Sequence, residues 1–252
     1  VWQRFVAIGD SFTEGMDDLA PDGSYRGWAD LVALALAADD PGVRYANLAV
    51  RGRLLPQIVA EQVPAALALE PDLVSLAGGG NDLLRRRLDL GQVAALLREA
   101  TLRLRDGGAD VLLFTGVDPS HRSAAAARLS NRVRAYNEQV REIAGATGAL
   151  LVDLGTAGPV LGHPSMVSVD RLHLSPLGHE RIAQSVLERL GRPFDADWRV
   201  PPSPAAMQPW LQRRAADARW VRVHAAPWVH RRLTGRSSGD LVQAKRPELS
   251  PV

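Results

Sequence analysis

Arg4-Phe5-Val6-Ala7-Ile8, running into Gly9-Asp10-Ser11-Phe12-Thr13-Glu14-Gly15, is the stretch from which the fold of this chain is read. Phe5–Ile8 is short, apolar and closed by a glycine, which predicts a buried strand ending in a tight turn. Ser11 follows the last strand residue by three positions, so its hydroxyl is expected just beyond the strand end. Because Thr13 stands two residues after Ser11, the pattern is not G-x-S-x-G, which disfavours the nucleophile elbow of the α/β-hydrolases.

Outward from this strand, similar apolar runs recur at Val43–Leu48, Leu73–Ala77, Val111–Thr115 and Leu150–Leu154. Helical spacing fills the intervals: about Trp28–Ala38, Leu54–Leu69 with Pro64 as an expected break, the stretch after Asp89, Ala124–Ala146 and Pro176–Leu190. After Asp89, residues Val93, Leu96, Leu97, Ala100 and Leu104 share one face, and Gly107-Gly108 ends the pattern. Pro176 suits a first helical turn. Strands alternating with helices imply parallel pairing with right-handed crossovers. The expected fold class is therefore α/β, a three-layer α/β/α domain around a five-stranded, mainly parallel sheet. Ligands of such sheets bind beyond the carboxyl ends of the strands.

Composition agrees with a soluble globular protein: 252 residues, 46% hydrophobic, 23% charged and 5% aromatic. The absence of cysteine excludes thiol catalysis, zinc–thiolate sites and iron–sulfur clusters, and removes the disulfides that would argue for secretion. No apolar run approaches the roughly 18 residues of a membrane span. No signal peptide is visible and a cytoplasmic location is expected, although Val1 in place of Met leaves a trimmed leader open.

The net charge of +2 is the sum of two unlike parts. Residues 192–252 carry 11 Lys+Arg against 5 Asp+Glu, net +6, which leaves net −4 for residues 1–191. A boundary near Gly191 follows, giving a domain over 1–191 and a C-terminal Arg/Trp/Pro-rich extension over 192–252. Val200-Pro201-Pro202-Ser203-Pro204 reads as a linker within the extension, which also holds Trp198, Trp210, Trp220 and Trp228. Three readings suit it: binding of nucleic acid or an anionic membrane surface, a lid over the site, or a wrap packed on the domain. Pro and Ala interrupt every Arg/aromatic run, so wrapping is preferred, with no nucleic-acid or membrane partner expected.

Chemistry-bearing residues fall at the strand ends. Gly9-Asp10-Ser11 follows the first strand, Asn47-Leu48-Ala49-Val50-Arg51-Gly52 the second, Gly78-Gly79-Gly80-Asn81-Asp82 the third, and Asp170-Arg171-Leu172-His173 precedes the Pro176 helix. A serine hydroxyl is too weak an acid to attack an ester unaided, so an imidazole must take its proton, and His173 is the candidate base. Asp170, three residues earlier, is placed to hold the Nδ1–H and leave Nε2 facing Ser11. The oxyanion of a tetrahedral intermediate needs donors, which the N–H groups of Ser11 and Gly52 and the Asn81 carboxamide supply. Each is worth roughly 3–4 kcal/mol of barrier.

With these blocks in this order, residues 4–190 resemble the SGNH hydrolases, also called the GDSL esterase/lipase family. The serine block maps to Gly9-Asp10-Ser11, the glycine block to Gly52, the G-x-N-D block to Gly79–Asp82 and the D-x-x-H block to Asp170–His173. The resemblance implies a flavodoxin-like three-layer fold and a metal-independent serine mechanism without cofactor. It adds the same three oxyanion donors. Beyond Gly191, Arg231–Asp240 looks like C-terminal extensions of actinobacterial members.

The resulting expectation is a serine esterase acting on small or medium acyl esters through an acyl-enzyme formed at Ser11. Two alternatives remain: an acyltransferase using the same serine, and a binding or scaffolding protein with an idle site. Asp10 and Asp82 are read as structural acids that bond loop N–H groups. Gly78-Gly79-Gly80 is not a phosphate cradle, since no G-x-x-x-x-G-K-[ST] is present and Lys245 is the only lysine. His163, His173 and His179 lack an accompanying carboxylate cluster and are not read as metal ligands. The acidic group Glu14, Asp17, Asp18 and Asp22 is expected to be a solvated loop.

Overall fold

The structure, a computed structural model, describes residues 2–119, 127, 129–203, 209–234 and 237–252, and the backbone alone for Arg213, Trp228, Arg232 and Leu233. Parts of the expected Ala124–Ala146 helix and of the Val200–Pro204 linker, and the Trp228 side chain, therefore lie outside the described residues.

Strands β1 (Arg4–Gly9), β2 (Arg44–Asn47), β3 (Leu73–Ala77), β4 (Asp110–Phe114) and β5 (Leu150–Val152) pair in parallel. Their order is β5-β4-β3-β1-β2, so the chain steps first to one side of β1 and then to the other. Such a reversal opens a crevice at the carboxyl ends of the two strands that flank it, here β1 and β3. β3 is buried along its whole length, as expected for a strand covered by helices on both faces.

Helix α1 (Ser11–Glu14) follows β1 directly, and α2 (Trp28–Asp39) returns the chain to β2. After β2 come α3 (Leu55–Gln57), a π turn (Ile58–Gln62) and α4 (Val63–Ala68). Pro64 was expected to break this segment; instead the helix runs on. The Val63 N–H bonds the Ile58 carbonyl one register longer than in an α-helix, which accommodates a residue with no N–H of its own. The short α5 (Gly80–Leu83) follows β3, then α6 (Leu90–Asp106), capped by Asp89, and α7 (Ser130–Thr147) on either side of β4. Beyond β5, α8 (Gly158–Leu161) and α9 (Pro176–Arg189) complete the domain. The apolar side chains form two cores, one per sheet face. Val6, Ile8, Val74 and Leu76 meet α6 and α7 on one, and Phe5, Ala7, Leu112 and Phe114 meet α2 and α9 on the other.

The sheet has six strands, not the five expected. The sixth, β6 (Arg246–Pro251), comes from the extension and pairs antiparallel with β2, Tyr45 opposite Ser250 and Asn47 opposite Arg246. It went unread because Pro247, Glu248 and Pro251 break the β-branched alternation of an interior strand; at an edge, proline is tolerated. Between the domain and β6 run α10 (Trp210–Trp220), a second π turn (Val221–Ala225) and α11 (Ala226–Leu233). Among the described residues no helix is long and apolar enough to cross a membrane.

Candidate active site

Gly9 ends β1 where a side chain has no room: a Cβ there would lie 2.4 Å from the Ala77 carbonyl oxygen on β3. Gln62, buried in the π turn, grips this residue with its carboxamide, accepting from the Gly9 N–H at 2.7 Å and donating to the Gly9 carbonyl at 2.9 Å. Asp10 then caps α1, accepting from the Phe12 N–H at 3.1 Å. Ser11 becomes the first residue of that helix. The other Asp10 oxygen accepts from Asn81 Nδ2 at 3.1 Å, so one buried carboxylate joins the serine block to the G-x-N-D block. Burial pushes the Asp10 carboxyl up to about 6 against the lowering pull of the Phe12 N–H and of His173.

Asn81 stands on α5, which is preceded by its capping residue Gly79 at φ +88°. Only glycine suits that position on two counts: the left-handed backbone, and the Tyr136 hydroxyl 2.8 Å from where a Cβ would be. The Tyr136 hydroxyl donates to the Gly78 carbonyl at 2.7 Å. Asn81 Nδ2 also donates to the Arg53 carbonyl at 3.0 Å, so both hydrogens of its amide have acceptors and its orientation is set. Asp82, read from the sequence as structural, accepts from the Leu55 N–H at 2.9 Å.

Asp170 and His173 lie on the loop ahead of α9. Asp170 Oδ2 is 2.5 Å from His173 Nδ1, and its Oδ1 accepts from the N–H groups of Leu172 at 2.9 Å and His173 at 3.0 Å. Burial works to raise the Asp170 carboxyl, but the His173 ring and the two N–H groups outweigh it and hold the group at about 2. For His173, burial lowers the imidazole while Asp170, and more weakly Asp17 and Asp10, raise it, and the net shift is upward. The Nδ1–H is thereby tied to a carboxylate, which leaves Nε2 as the free nitrogen.

Ser11, Asn81 and His173 line one cavity of about 320 Å³, whose wall is otherwise mostly apolar: Phe12, Leu83, Phe114, Val133, Leu172 and Ile182 among others. Asp170 stands behind His173. Gly52 does not line the cavity. It sits at φ +75° on the β2–α3 loop, with Ser237 of the extension 2.2 Å from the place its Cβ would take. Its carbonyl accepts from Ser237 Oγ at 3.5 Å.

Half of the acidic group departs from the solvated loop expected of it: Asp22 is exposed and Asp17 is partly so, but two members are not. Glu14 and Asp18 are buried, because each has a guanidinium partner: Glu14 binds the Arg51 side chain and accepts from its N–H at 2.7 Å, and Asp18 holds Arg26 by two bonds of 3.0 Å. Sequence reading missed Gln62, Glu14 and Arg51 as supports of the site. Their partners lie 37 or 53 residues away, beyond the reach of local pattern. Of the three histidines weighed as metal ligands, His179 is a neutral core residue: Nδ1 accepts from the Trp28 N–H at 3.2 Å, Nε2 faces the Met16 carbonyl at 3.0 Å, and burial lowers the ring to about 4. His163 bonds Ser165 at 2.8 Å.

A parallel sheet of this order, with a serine leaving β1 and an acid-held histidine entering the last domain helix, is the framework of a carboxylic ester hydrolase. Residues 7–181, more than half of the chain, match the model of the GDSL-like Lipase/Acylhydrolase family, and the chain belongs to that family. It is 27% identical over 215 residues to the acetylxylan esterase of Geobacillus stearothermophilus, spanning 75% of this chain and 94% of that protein. Among the crystal structures that resemble it are two of other proteins. One is LAE5, an α/β hydrolase enzyme from the metagenome of Lake Arreo, Spain (TM-score 0.64, 26% identity, 75% of this chain and 95% of that one). The other is TesA (TM-score 0.62, 25% identity, 75% and 98%).

Proposed function

We propose that the protein is a serine esterase that hydrolyses small to medium acyl esters through an acyl-enzyme. One observation carries this reading: Ser11, Asn81 and the Asp170-held His173 border a single apolar cavity at the reversal of strand order. Ser11 Oγ attacks the ester carbonyl while His173 Nε2 takes its proton, and Asp170 holds the imidazolium so formed. The developing oxyanion is met by the Ser11 N–H and by Asn81 Nδ2, which gives up its bond to the Arg53 carbonyl to do so; Gly52, expected as a third donor, does not line the cavity and is left out of this step. His173 passes its proton to the departing alcohol, then takes one from the water that attacks the acyl-enzyme, and Ser11 is restored. The reaction balances as ester and water to acid and alcohol.

The apolar wall suits the acyl part of the substrate. Each methylene it buries is worth about 0.8 kcal/mol, or about fourfold in kcat/KM until the cavity is filled. The likeness to an acetylxylan esterase favours a second reading, in which an acetyl group enters the cavity and a sugar stays outside. Turnover of p-nitrophenyl acetate, butyrate and octanoate beside an acetylated xylo-oligosaccharide separates the two. Rising kcat/KM along the ester series supports the first, and acetyl preference with fast deacetylation of the sugar supports the second. Ser11→Ala is expected to lower turnover of every active ester by roughly 10⁴–10⁶. Unchanged turnover in that variant sinks the mechanism.

A further inference from the structure

Helix α10 of the extension touches the domain at the loop that carries the acid and the base. The Trp220 indole N–H donates to the Asp170 carbonyl at 2.7 Å, 50 residues away in sequence. The Arg171 guanidinium lies 5.1 Å from the Trp220 ring centroid and pairs with Asp217, one helical turn earlier, at 2.8 Å. Arg171 itself is held at φ +61°, where side-chain-bearing residues rarely rest unless neighbours over-determine the backbone. Three contacts therefore converge on two adjacent residues, one of them the carboxylate partner of His173.

We propose that Trp220, assisted by Asp217, is a positioning residue: it fixes the backbone of Asp170 and Arg171, and so the aim of the Asp170 carboxylate at His173 Nδ1. This rests on the Ser11–His173–Asp170 reading and extends it, since it makes the extension part of the hydrolytic apparatus. An indole bonded to a carbonyl acts on the loop alone. Trp220 is not among the described residues that line the cavity, so its loss is expected to act on turnover and leave substrate binding intact.

The experiment uses the full chain and p-nitrophenyl acetate, with active enzyme counted by the burst of p-nitrophenol. Trp220→Phe keeps the ring under Arg171 but removes the donor. The expected result is kcat per active site down about tenfold with KM within about twofold. Its acidic limb of kcat/KM moves to lower pH, because a loosened Asp170 raises the imidazole less. A purely structural role would lower the burst amplitude and melting temperature and leave the limb in place. Wild-type kcat and limb in Trp220→Phe, with Ser11→Ala inactive, overturn the proposal; activity in Ser11→Ala overturns the underlying reading instead. Should Trp220→Phe fail to fold, Asp217→Asn takes its place. For that variant a two- to threefold loss of kcat with a shifted limb, restored by Asp217→Glu, supports the proposal, and wild-type values overturn it.

Discussion

Asp170 and His173 share a hydrogen bond that moves the two groups in opposite directions, the acid down to about 2 and the imidazole up. A general base must be neutral to accept a proton, so turnover is expected to fall as pH drops through the imidazole pKa, above its ordinary value of about 6.5. Asp170→Asn removes the raising partner. In that variant the acidic limb of kcat/KM should shift to lower pH, and kcat should drop by about 10⁴ as the wrong tautomer becomes stable. A pH–rate profile of both proteins is the check; an unmoved limb would deny Asp170 its part. At this scale the sequence was most legible where partners are close along the chain, as three-residue spacing makes Asp170 and His173. Glu14 and Arg51 pair across 37 residues, and no local pattern marks Glu14 as buried.

The five parallel strands were legible as elements because each is a compact apolar run bounded by polar or glycine residues, and their edges shift by only a residue or two. The segment over Leu55–Ala68 was harder. Pro64 signals a break, and only the folded chain shows the wider π turn taking up the missing N–H, with Gln62 turned inward on Gly9. That turn performs two tasks, since the register that admits the proline also delivers the carboxamide to the end of β1. Gln62→Leu leaves the Gly9 N–H without this acceptor, at a cost of about 1–3 kcal/mol, while the Gly9 carbonyl keeps the Val50 N–H at 3.2 Å. Urea unfolding should show the loss. Turnover should fall further than stability alone explains, since Gly9 leads directly into Asp10 and Ser11.

For the molecule as a whole, the charge split near Gly191 marked the extension, but its strand and its contacts were hidden. The sole lysine illustrates why. In sequence, Lys245 is one cation among the 11 of an Arg-rich tail; in the fold its ammonium donates to the Tyr25 carbonyl at 2.9 Å and to Asp30 Oδ2 at 2.6 Å, immediately before β6. Burial raises the Asp30 carboxyl to about 6 against the lowering pull of Lys245. Lys245→Met would strand that carboxylate in a half-buried setting and loosen the start of β6, lowering stability by about 3 kcal/mol. Thermal unfolding at pH 7 and pH 5 tests this, with a smaller deficit at pH 5, where Asp30 in the variant takes up a proton. An equal deficit at both values would show that the loss is one of packing alone.

The outermost strand has one more consequence. Two of its six residues, Pro247 and Pro251, lack an amide hydrogen. A bare β2 would present an open row of backbone groups to any passing extended peptide; with β6 in place, the rim offers fewer donors and resists templating of further strands. The chain thus finishes its own sheet with a strand ill-suited to recruit another, a built-in guard against fibrous self-association.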